Sequence, residues 1–153
     1  MTTPAFPDPS QETRARFRKF IAIPTRWMDN DVYGHVNNVV YYSYFDTAVN
    51  GNLIAATGRD IRELPALGIV AETSCRFLQE LSFPETIDAG LRVARLGNRS
   101  VTYEIGLFRA NSDSPAALGR FVHVYVDRED RRPIPIPDLI RNALAELVVP
   151  EAG

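Results

Sequence analysis

The residues best suited to chemistry lie in one short loop that precedes an apolar segment. Two carboxylates, Asp29 and Asp31, come first, and the loop then holds Gly34, His35, Asn37 and Asn38. The apolar run that follows predicts a helix with Asn37 or Asn38 as its N-cap. Backbone N–H groups at a helix N-terminus lack intrahelical acceptors and carry partial positive charge. A carboxylate beside them could attack a carbonyl carbon or activate water, while the N–H groups stabilise the oxyanion.

Two other interpretations of this loop stay open from the residues alone. Asp29 and Asp31 could simply order the loop and its cap, which are common roles for aspartate. Asp29, Asp31 and His35 could instead bind a metal ion, but their spacing matches no recognised site, and His123 is the one other histidine in the chain. Composition alone favours the ordering role, and the metal site is the weaker alternative.

Two candidates outside the loop are better explained by packing. The single cysteine, Cys75, lies inside a strand pattern, where a buried and unreactive thiol is the default. His123 lies on the aromatic face of a predicted strand, which favours packing or an interface over catalysis. We expect neither side chain to be the catalytic group.

Composition limits the class of protein. At 153 residues the chain fits one domain, and its net charge of −2 argues against general affinity for nucleic acid or anionic membranes. One cysteine excludes an internal disulfide and a cysteine-based zinc site, and no apolar run reaches the ~18 residues of a membrane span. Since no signal-peptide pattern is present, we expect a cytoplasmic protein.

Hydrophobic periodicity predicts the elements that must position the loop. Residues 1–16 form a proline-containing lead-in that we expect to be mobile, ahead of a single domain over 17–153. The predicted strands cover residues 17–25, 69–78, 87–96, 100–109 and 117–127. The predicted helices run from residue 39 to a stop at Gly58 and from a cap at Asp138 to residue 147. Because the first helix is apolar on most sides, we expect an α+β fold in which an antiparallel sheet covers it.

The loop and the start of the helix resemble a known family signature. The run Arg26-Trp27-Met28-Asp29-Asn30-Asp31-Val32-Tyr33-Gly34-His35-Val36-Asn37-Asn38, followed by Tyr41 and Tyr44-Phe45-Asp46, is similar to acyl-CoA thioesterases of the 4-hydroxybenzoyl-CoA thioesterase type. That family carries Asp-x-Asp-x-x-Gly-His-Val-Asn-Asn and then Tyr-x-x-Tyr-Phe-Glu, so this chain has aspartate at 46 where glutamate is commoner. The resemblance covers nearly the whole chain after residue 17.

The resemblance implies a hotdog fold, in which a strongly curved antiparallel sheet wraps around one long central helix. It implies a homodimer whose two sheets join edge to edge, with further pairing into a homotetramer. The active sites would lie at the dimer interface, and each would draw on both chains. The implied partner is an acyl-CoA substrate, in which coenzyme A is part of the substrate and not a cofactor. No metal or redox cofactor is expected.

The resemblance also implies roles for single residues. Asp31 corresponds to the catalytic carboxylate, as nucleophile or general base, and the Asn38 backbone N–H corresponds to the oxyanion donor. His35 and Asn37 would shape the site, and Asp29 would support the loop. Arg99 and Ser100 are expected to contact coenzyme A. The acyl pocket is expected to be lined by Tyr41, Tyr44, Phe45 and Val70.

Arg99 suits a phosphate because its guanidinium is always charged and binds phosphate through two hydrogen bonds, although an arginine at a hairpin tip could equally be solvated. The leading prediction is therefore an acyl-CoA thioesterase. The alternative is a non-catalytic module that binds an acyl-CoA or an acyl-carrier protein, against which the presence of Asp31 argues. A dehydratase of the same fold is the weakest possibility, because its different Asp/His signature is not found.

Overall fold

A computed structural model describes residues 5–150 of the chain. Its strands are β1 (Lys19–Pro24), β2 (Ala66–Phe77), β3 (Thr86–Leu96), β4 (Ser100–Arg109) and β5 (Ala117–Asp127). Its helices are α1 (Asn38–Thr57) and α2 (Asp138–Ala145). The strands form one antiparallel sheet in the order β1-β3-β4-β5-β2, so β1 and β2 are its edges. The predicted α+β architecture, with one long helix on an antiparallel sheet, is confirmed.

Local signals define both ends of α1. The Asn37 side-chain oxygen accepts a hydrogen bond from the Val39 N–H at 3.1 Å, so Asn37 is the N-cap. Gly58 ends the helix in the left-handed conformation, with φ of 66°, which glycine adopts at little cost. Both predicted ends are therefore confirmed. The cap predicted for α2 is wrong, because Asp138 is the first helical residue and Pro137 occupies the cap position without a side-chain hydrogen bond.

α1 buries one face against the inner side of the sheet. Phe45, Val49 and Leu53 lie in the core with strand residues such as Tyr103 and Ile105 of β4. The opposite face of the helix is open: Val39 is 66% exposed and Ile54 44%. The expectation of a helix covered on most sides is thus not met within a single chain, because the sheet reaches only one face of it.

Residues preceding β1 cover the outer side of the sheet. Phe6 and Phe17 pack on that side, and Glu12 is buried in an ion pair with Arg92 at 2.6 Å. This cover explains why β4 is buried on both faces although its alternation predicts one buried face. Residues 1–4 lie outside the described part of the chain, and the mobility expected for the lead-in stays a prediction.

The remaining bounds follow the predicted pattern closely. The turn at residues 97–99 joins β3 to β4 as an antiparallel hairpin, with Leu96 opposite Val101. β2 begins at Ala66, earlier than predicted, because its first residues pair with the end of β5. Among residues 5–150, no helix is long and apolar enough to cross a membrane.

Candidate functional site

The loop before α1 is a closed hairpin. The Asn37 N–H donates to the carbonyl oxygen of Asp29 at 2.9 Å, which joins the two ends of the loop. Inside it, the Asp31 N–H donates to the carbonyl oxygen of His35 at 2.8 Å. Gly34 has φ of 85°, a conformation that side chains with a Cβ rarely adopt. The loop is therefore held by its own backbone, with Asp31 near the start of α1.

Asp29 anchors the loop from below. Its carboxylate is fully buried and accepts hydrogen bonds from the Arg26 N–H at 2.9 Å, the Arg26 guanidinium at 3.0 Å and the Tyr44 hydroxyl at 2.7 Å. Burial opposes ionisation, but these hydrogen bonds outweigh it and hold the pKa of Asp29 below its usual value. Both oxygens are thus occupied, and Asp29 ties the loop to α1.

Asp31 is only partly occupied. Its side chain is half-buried, and Oδ1 accepts a hydrogen bond from the Tyr33 N–H at 2.8 Å. Oδ2 has no hydrogen bond within residues 5–150. Since Asp29 faces Tyr44 instead, the two aspartates do not converge, and the described residues contain no group of three His, Cys, Asp or Glu arranged to hold a metal ion.

The first backbone donor of α1 is available to a ligand. The Val39 N–H is taken by the Asn37 side chain, and the Val40 N–H by the Asn37 carbonyl oxygen at 2.9 Å. Asn38 is the first helical residue, so its N–H has no intrahelical acceptor. Asn37 therefore acts as a cap, while Asn38 presents a donor at the positive end of the helix dipole.

An open cleft of about 190 Å³ lies beside this loop. His35 lines it and pairs with Glu80 through Nε2 at 2.9 Å, with the His35 side chain partly exposed and that of Glu80 largely exposed. Tyr41 forms another wall, with its ring centroid 4.9 Å from that of Phe77. The sequence did not predict that the segment after β2, including Glu80, would line this cleft, because no local pattern indicates which loop will face His35.

The other expected pocket residues have different surroundings. Tyr44 is buried with its hydroxyl on Asp29, and Phe45 is fully buried beneath Gly119, where an added Cβ would overlap its ring. Val70 on β2 is 41% exposed. Their part in an acyl pocket stays a prediction.

Arg99 and Ser100 lie at the opposite end of the sheet from Asp31. The carbonyl oxygen of Arg99 accepts the Tyr125 N–H at 2.8 Å in the exposed turn after β3. The Asp31 loop instead adjoins the beginning of β3, where the Val36 N–H donates to the Leu81 carbonyl oxygen. β3 is ~35 Å long at ~3.3 Å per residue, so one chain does not bring Arg99 to Asp31.

Of the two side chains set aside as packing residues, His123 is buried and Cys75 is half-buried. His123 is 2% exposed among aromatic rings, and burial lowers its pKa to about 4. Burial likewise raises the pKa of Cys75 to about 12, which keeps its thiol protonated and unreactive at neutral pH.

One feature of the loop was missed in the sequence. Four of its apolar side chains are almost entirely exposed: Trp27 (77%), Met28 (81%), Val32 (94%) and Tyr33 (81%). Large apolar side chains grouped in this way are typical of a surface that another molecule covers. The sequence signal that could have indicated this surface was the occurrence of four large apolar residues in a loop that also contains two aspartates.

Comparison with known proteins places these features in a wider group. A family model of the thioesterase-like superfamily matches residues 25–144. The PA5185 protein of Pseudomonas aeruginosa is 49% identical, with a TM-score of 0.88 over 92% of this chain and 99% of that one. A thioesterase of Thermus thermophilus, crystallised with coenzyme A and zinc, is 27% identical, with a TM-score of 0.70 over 84% of this chain and 98% of its own. The uncharacterised protein YsmA of Bacillus subtilis (strain 168) is 25% identical over 145 residues, which are 94% of this chain and 97% of YsmA. The shared arrangement confirms the predicted hotdog fold.

Proposed function

Because the chain belongs to the thioesterase-like superfamily, we propose that it hydrolyses an acyl-CoA thioester to a free carboxylic acid and coenzyme A. The observation that carries the proposal is the Asp31 carboxylate, with one oxygen free of hydrogen bonds from residues 5–150, in the closed loop that leads directly into the first N–H of α1. These groups supply the two requirements of acyl transfer to water, namely a nucleophile or base and a donor for the oxyanion.

The chemistry follows from these two groups. Asp31 either attacks the thioester carbonyl carbon, giving an anhydride that water then cleaves, or takes a proton from a water molecule that attacks the same carbon. In both routes the carbonyl oxygen becomes negatively charged, and the Asn38 N–H donates to it. In both routes the C–S bond breaks as the carbonyl re-forms, before water cleaves any anhydride, and coenzyme A leaves as a thiolate that takes a proton from solvent or from Asp31. Asp29 keeps Asp31 in place through the loop.

We also propose that the active unit is a homodimer joined through β2. This strand is a free edge with exposed apolar side chains, including Ile69, Val70 and Phe77. Two antiparallel β2 strands related by a two-fold axis point in opposite directions, so the Arg99 end of one chain approaches the Asp31 end of the other. Arg99 and Ser100 would then meet the coenzyme A phosphates in the partner's site. Pairing of dimers into a tetramer and a cytoplasmic location stay predictions.

The decisive experiment is thiol release from acetyl-CoA, benzoyl-CoA and palmitoyl-CoA by the wild type and Asp31→Asn. We expect Asp31→Asn to lower kcat/KM by at least ~100-fold, as loss of a catalytic acid–base group does. Asp46→Asn is the matched control, because Asp46 is an exposed carboxylate on α1 whose change in charge is identical.

Two results would contradict the proposal. Unchanged hydrolysis by Asp31→Asn would show that Asp31 is not the catalytic carboxylate. Absence of thiol release from every acyl-CoA and acyl-carrier-protein thioester, together with tight binding of one of them, would establish the non-catalytic binding module instead.

A further inference from the structure

A second pocket lies at the end of α1 far from Asp31. It has a volume of about 140 Å³ and is enclosed by the Ile61–Glu63 turn, α1, β2, β5 and α2. Its walls are mostly apolar and include Leu53, Leu64, Ala66 and Ile140. Asn50 and Arg62 lie at its mouth. No residue expected from the sequence to line an acyl pocket belongs to it.

A buried polar atom belongs to the wall of this pocket. His123 lines it and is 2% exposed, and its Nδ1 has no hydrogen-bond partner among the described residues. This atom faces Gly68, where an added Cβ would lie 2.9 Å from Nδ1. This distance is too short for a Cβ contact, so glycine at residue 68 is what allows the imidazole to lie against β2, and a side chain there would displace the His123 ring. Since an unpaired buried polar atom is unfavourable, a ligand that hydrogen-bonds to it gains affinity.

Size and charge define what the pocket accepts. A cavity of ~150 Å³ holds one benzene molecule, so a group of about that size fits and a long alkyl chain does not. Arg62, the one arginine, lysine or carboxylate side chain in the lining, already pairs with Asp60 at 2.9 Å. His123 is neutral at pH 7, because burial lowers its pKa to about 4. The surroundings thus suit an uncharged group with one hydrogen-bonding oxygen.

The position of the pocket indicates which active site it serves. Asn38 and Leu53 lie ~22 Å apart along α1 at ~1.5 Å per residue, so a compact acyl group at Asp31 does not reach the pocket of its own chain. In the two-fold pairing of β2 proposed above, Ala66 of the partner subunit approaches Phe77 of this chain. Phe77 lines the cleft beside the Asp31 loop, together with His35 and Val36 of that loop.

We propose that this pocket holds the acyl group of a thioester bound at Asp31 of the partner subunit and selects compact, uncharged acyl groups that carry a hydrogen-bonding oxygen. His123 and Gly68 determine this specificity, the first by its hydrogen bond and the second because only glycine allows the imidazole to keep its position in the pocket wall. The inference rests on the proposed hydrolase function and deepens it by naming the substrate class.

Binding of small probes tests the pocket without catalysis. Phenol and toluene are similar in size and differ by a hydroxyl group, and NMR titration of the wild-type protein locates both. We expect phenol to perturb the resonances of Leu53, Ala66 and His123, to bind several-fold more tightly than toluene, and to bind Asp31→Asn equally well. Gly68→Val should weaken phenol binding at least ~10-fold, with the smaller Gly68→Ala as a second variant in case valine prevents folding. If phenol perturbs other regions, or binds Gly68→Val and Gly68→Ala as it binds the wild type, the proposal that this pocket is a binding site is wrong.

Mixed dimers test the assignment to the partner's site. A chain with Asp31→Asn and a chain with Gly68→Val, carrying different tags, are co-expressed and purified as a heterodimer. If each site combines Asp31 of one chain with the pocket of the other, the heterodimer keeps one intact site and hydrolyses 3-hydroxybutyryl-CoA at about half the wild-type rate. If both groups served the site in the same chain, neither site would be intact, and a rate no higher than that of the two homodimers would overturn the assignment.

The two proposals fail in different ways. Hydrolysis by the wild type with no preference for 3-hydroxybutyryl-CoA over butyryl-CoA, and with no phenol binding, would overturn the pocket and leave the thioesterase function standing. Absence of any hydrolysis, with phenol bound as expected, would overturn the thioesterase function and the acyl role of the pocket.

Discussion

At the residue scale, hydrogen bonding separates the roles of the two aspartates in the loop. Asp29 is fully buried and bound by Arg26 and Tyr44, whereas one oxygen of Asp31 accepts no hydrogen bond from the described residues. Composition alone left both as candidates for the same ordering role, and only the family resemblance implied that Asp31 is catalytic and that Asp29 supports the loop. Their difference arises from contacts with α1 and with the preceding turn.

Tyr44→Phe tests the anchor. It removes one donor from a buried carboxylate, and we expect it to lower the free energy of unfolding by ~1–3 kcal/mol in urea titrations at pH 7. Because the folded pKa of Asp29 is lowered, its contribution is present above the unfolded pKa and is lost as the pH falls through the folded one. In Tyr44→Phe the folded pKa rises towards the unfolded one, so the loss with falling pH is smaller and ends at a higher pH. Tyr42→Phe, half-buried on the same helix, is the control, and equal effects of the two changes would contradict the role of the hydroxyl.

His123 makes stability depend on pH in a window of its own. Its folded pKa of about 4 lies below the ordinary 6.5, so the unfolded state binds a proton first as the pH falls. The contribution of neutral His123 to the free energy of unfolding is fully present above pH 6.5. It is lost as the pH falls towards 4, by about 3 kcal/mol at 1.36 kcal/mol per pH unit. Urea unfolding from pH 7.5 to 4.5 measures this slope. We expect His123→Phe to lose it and His35→Gln, at the exposed histidine, to keep it; the same slope in His123→Phe would contradict the assignment.

At the element scale, two glycines of α1 provide opposite tests of the same substitution. Gly58 has a positive φ at the C-terminal end, so Gly58→Ala should destabilise the protein by about 1 kcal/mol. Gly51 is exposed in the helix interior, with nothing within 4 Å of an added Cβ, so Gly51→Ala should stabilise it by up to about 1 kcal/mol. Thermal unfolding of both variants measures the difference. Shifts of the same sign would contradict the role of Gly58 as the helix stop.

At the scale of the whole molecule, residues 5–150 leave three surfaces uncovered. The free edge of β2, the open face of α1 and the exposed loop around Trp27 all lack a covering layer in a single chain. The outer side of the sheet is instead covered by the chain itself, through residues such as Glu12 and Phe17. Covering apolar surface thus favours β2 and α1, and not the outer side of the sheet, as the interface with a second copy of the chain.

Val70→Lys tests that surface. Val70 is 41% exposed on β2, and a lysine there places like charges close together across a two-fold axis near the middle of the strand. We expect light scattering to show a dimer for the wild type and a shift towards monomer for Val70→Lys. Leu139→Lys is the matched control, since Leu139 is 37% exposed on α2. A wild-type monomer, or an equal loss of dimer in both variants, would contradict pairing through β2.

The sequence by itself determined the elements and the chemistry of the loop. Alternating apolar residues gave the bounds of β4 and β5 as the structure has them, and Asn37 and Gly58 fixed the ends of α1. The run from Asp29 to Asn38 was sufficient to indicate a carboxylate beside a helix N-terminus. These predictions succeed because each depends on residues a few positions apart, where backbone conformation and hydrogen bonding are local.

Tertiary structure decided which of these groups meet. The strand order places Arg99 and Asp31 at opposite ends of the sheet, brings Glu80 to His35, and buries Glu12 against Arg92. It also places His123 in the wall of a pocket, with no hydrogen-bond partner for its Nδ1 among residues 5–150. Alternation assigns a side chain to a face of a strand, but its neighbours on that face depend on how distant strands pair, and that pairing is decided by the packing of the whole core.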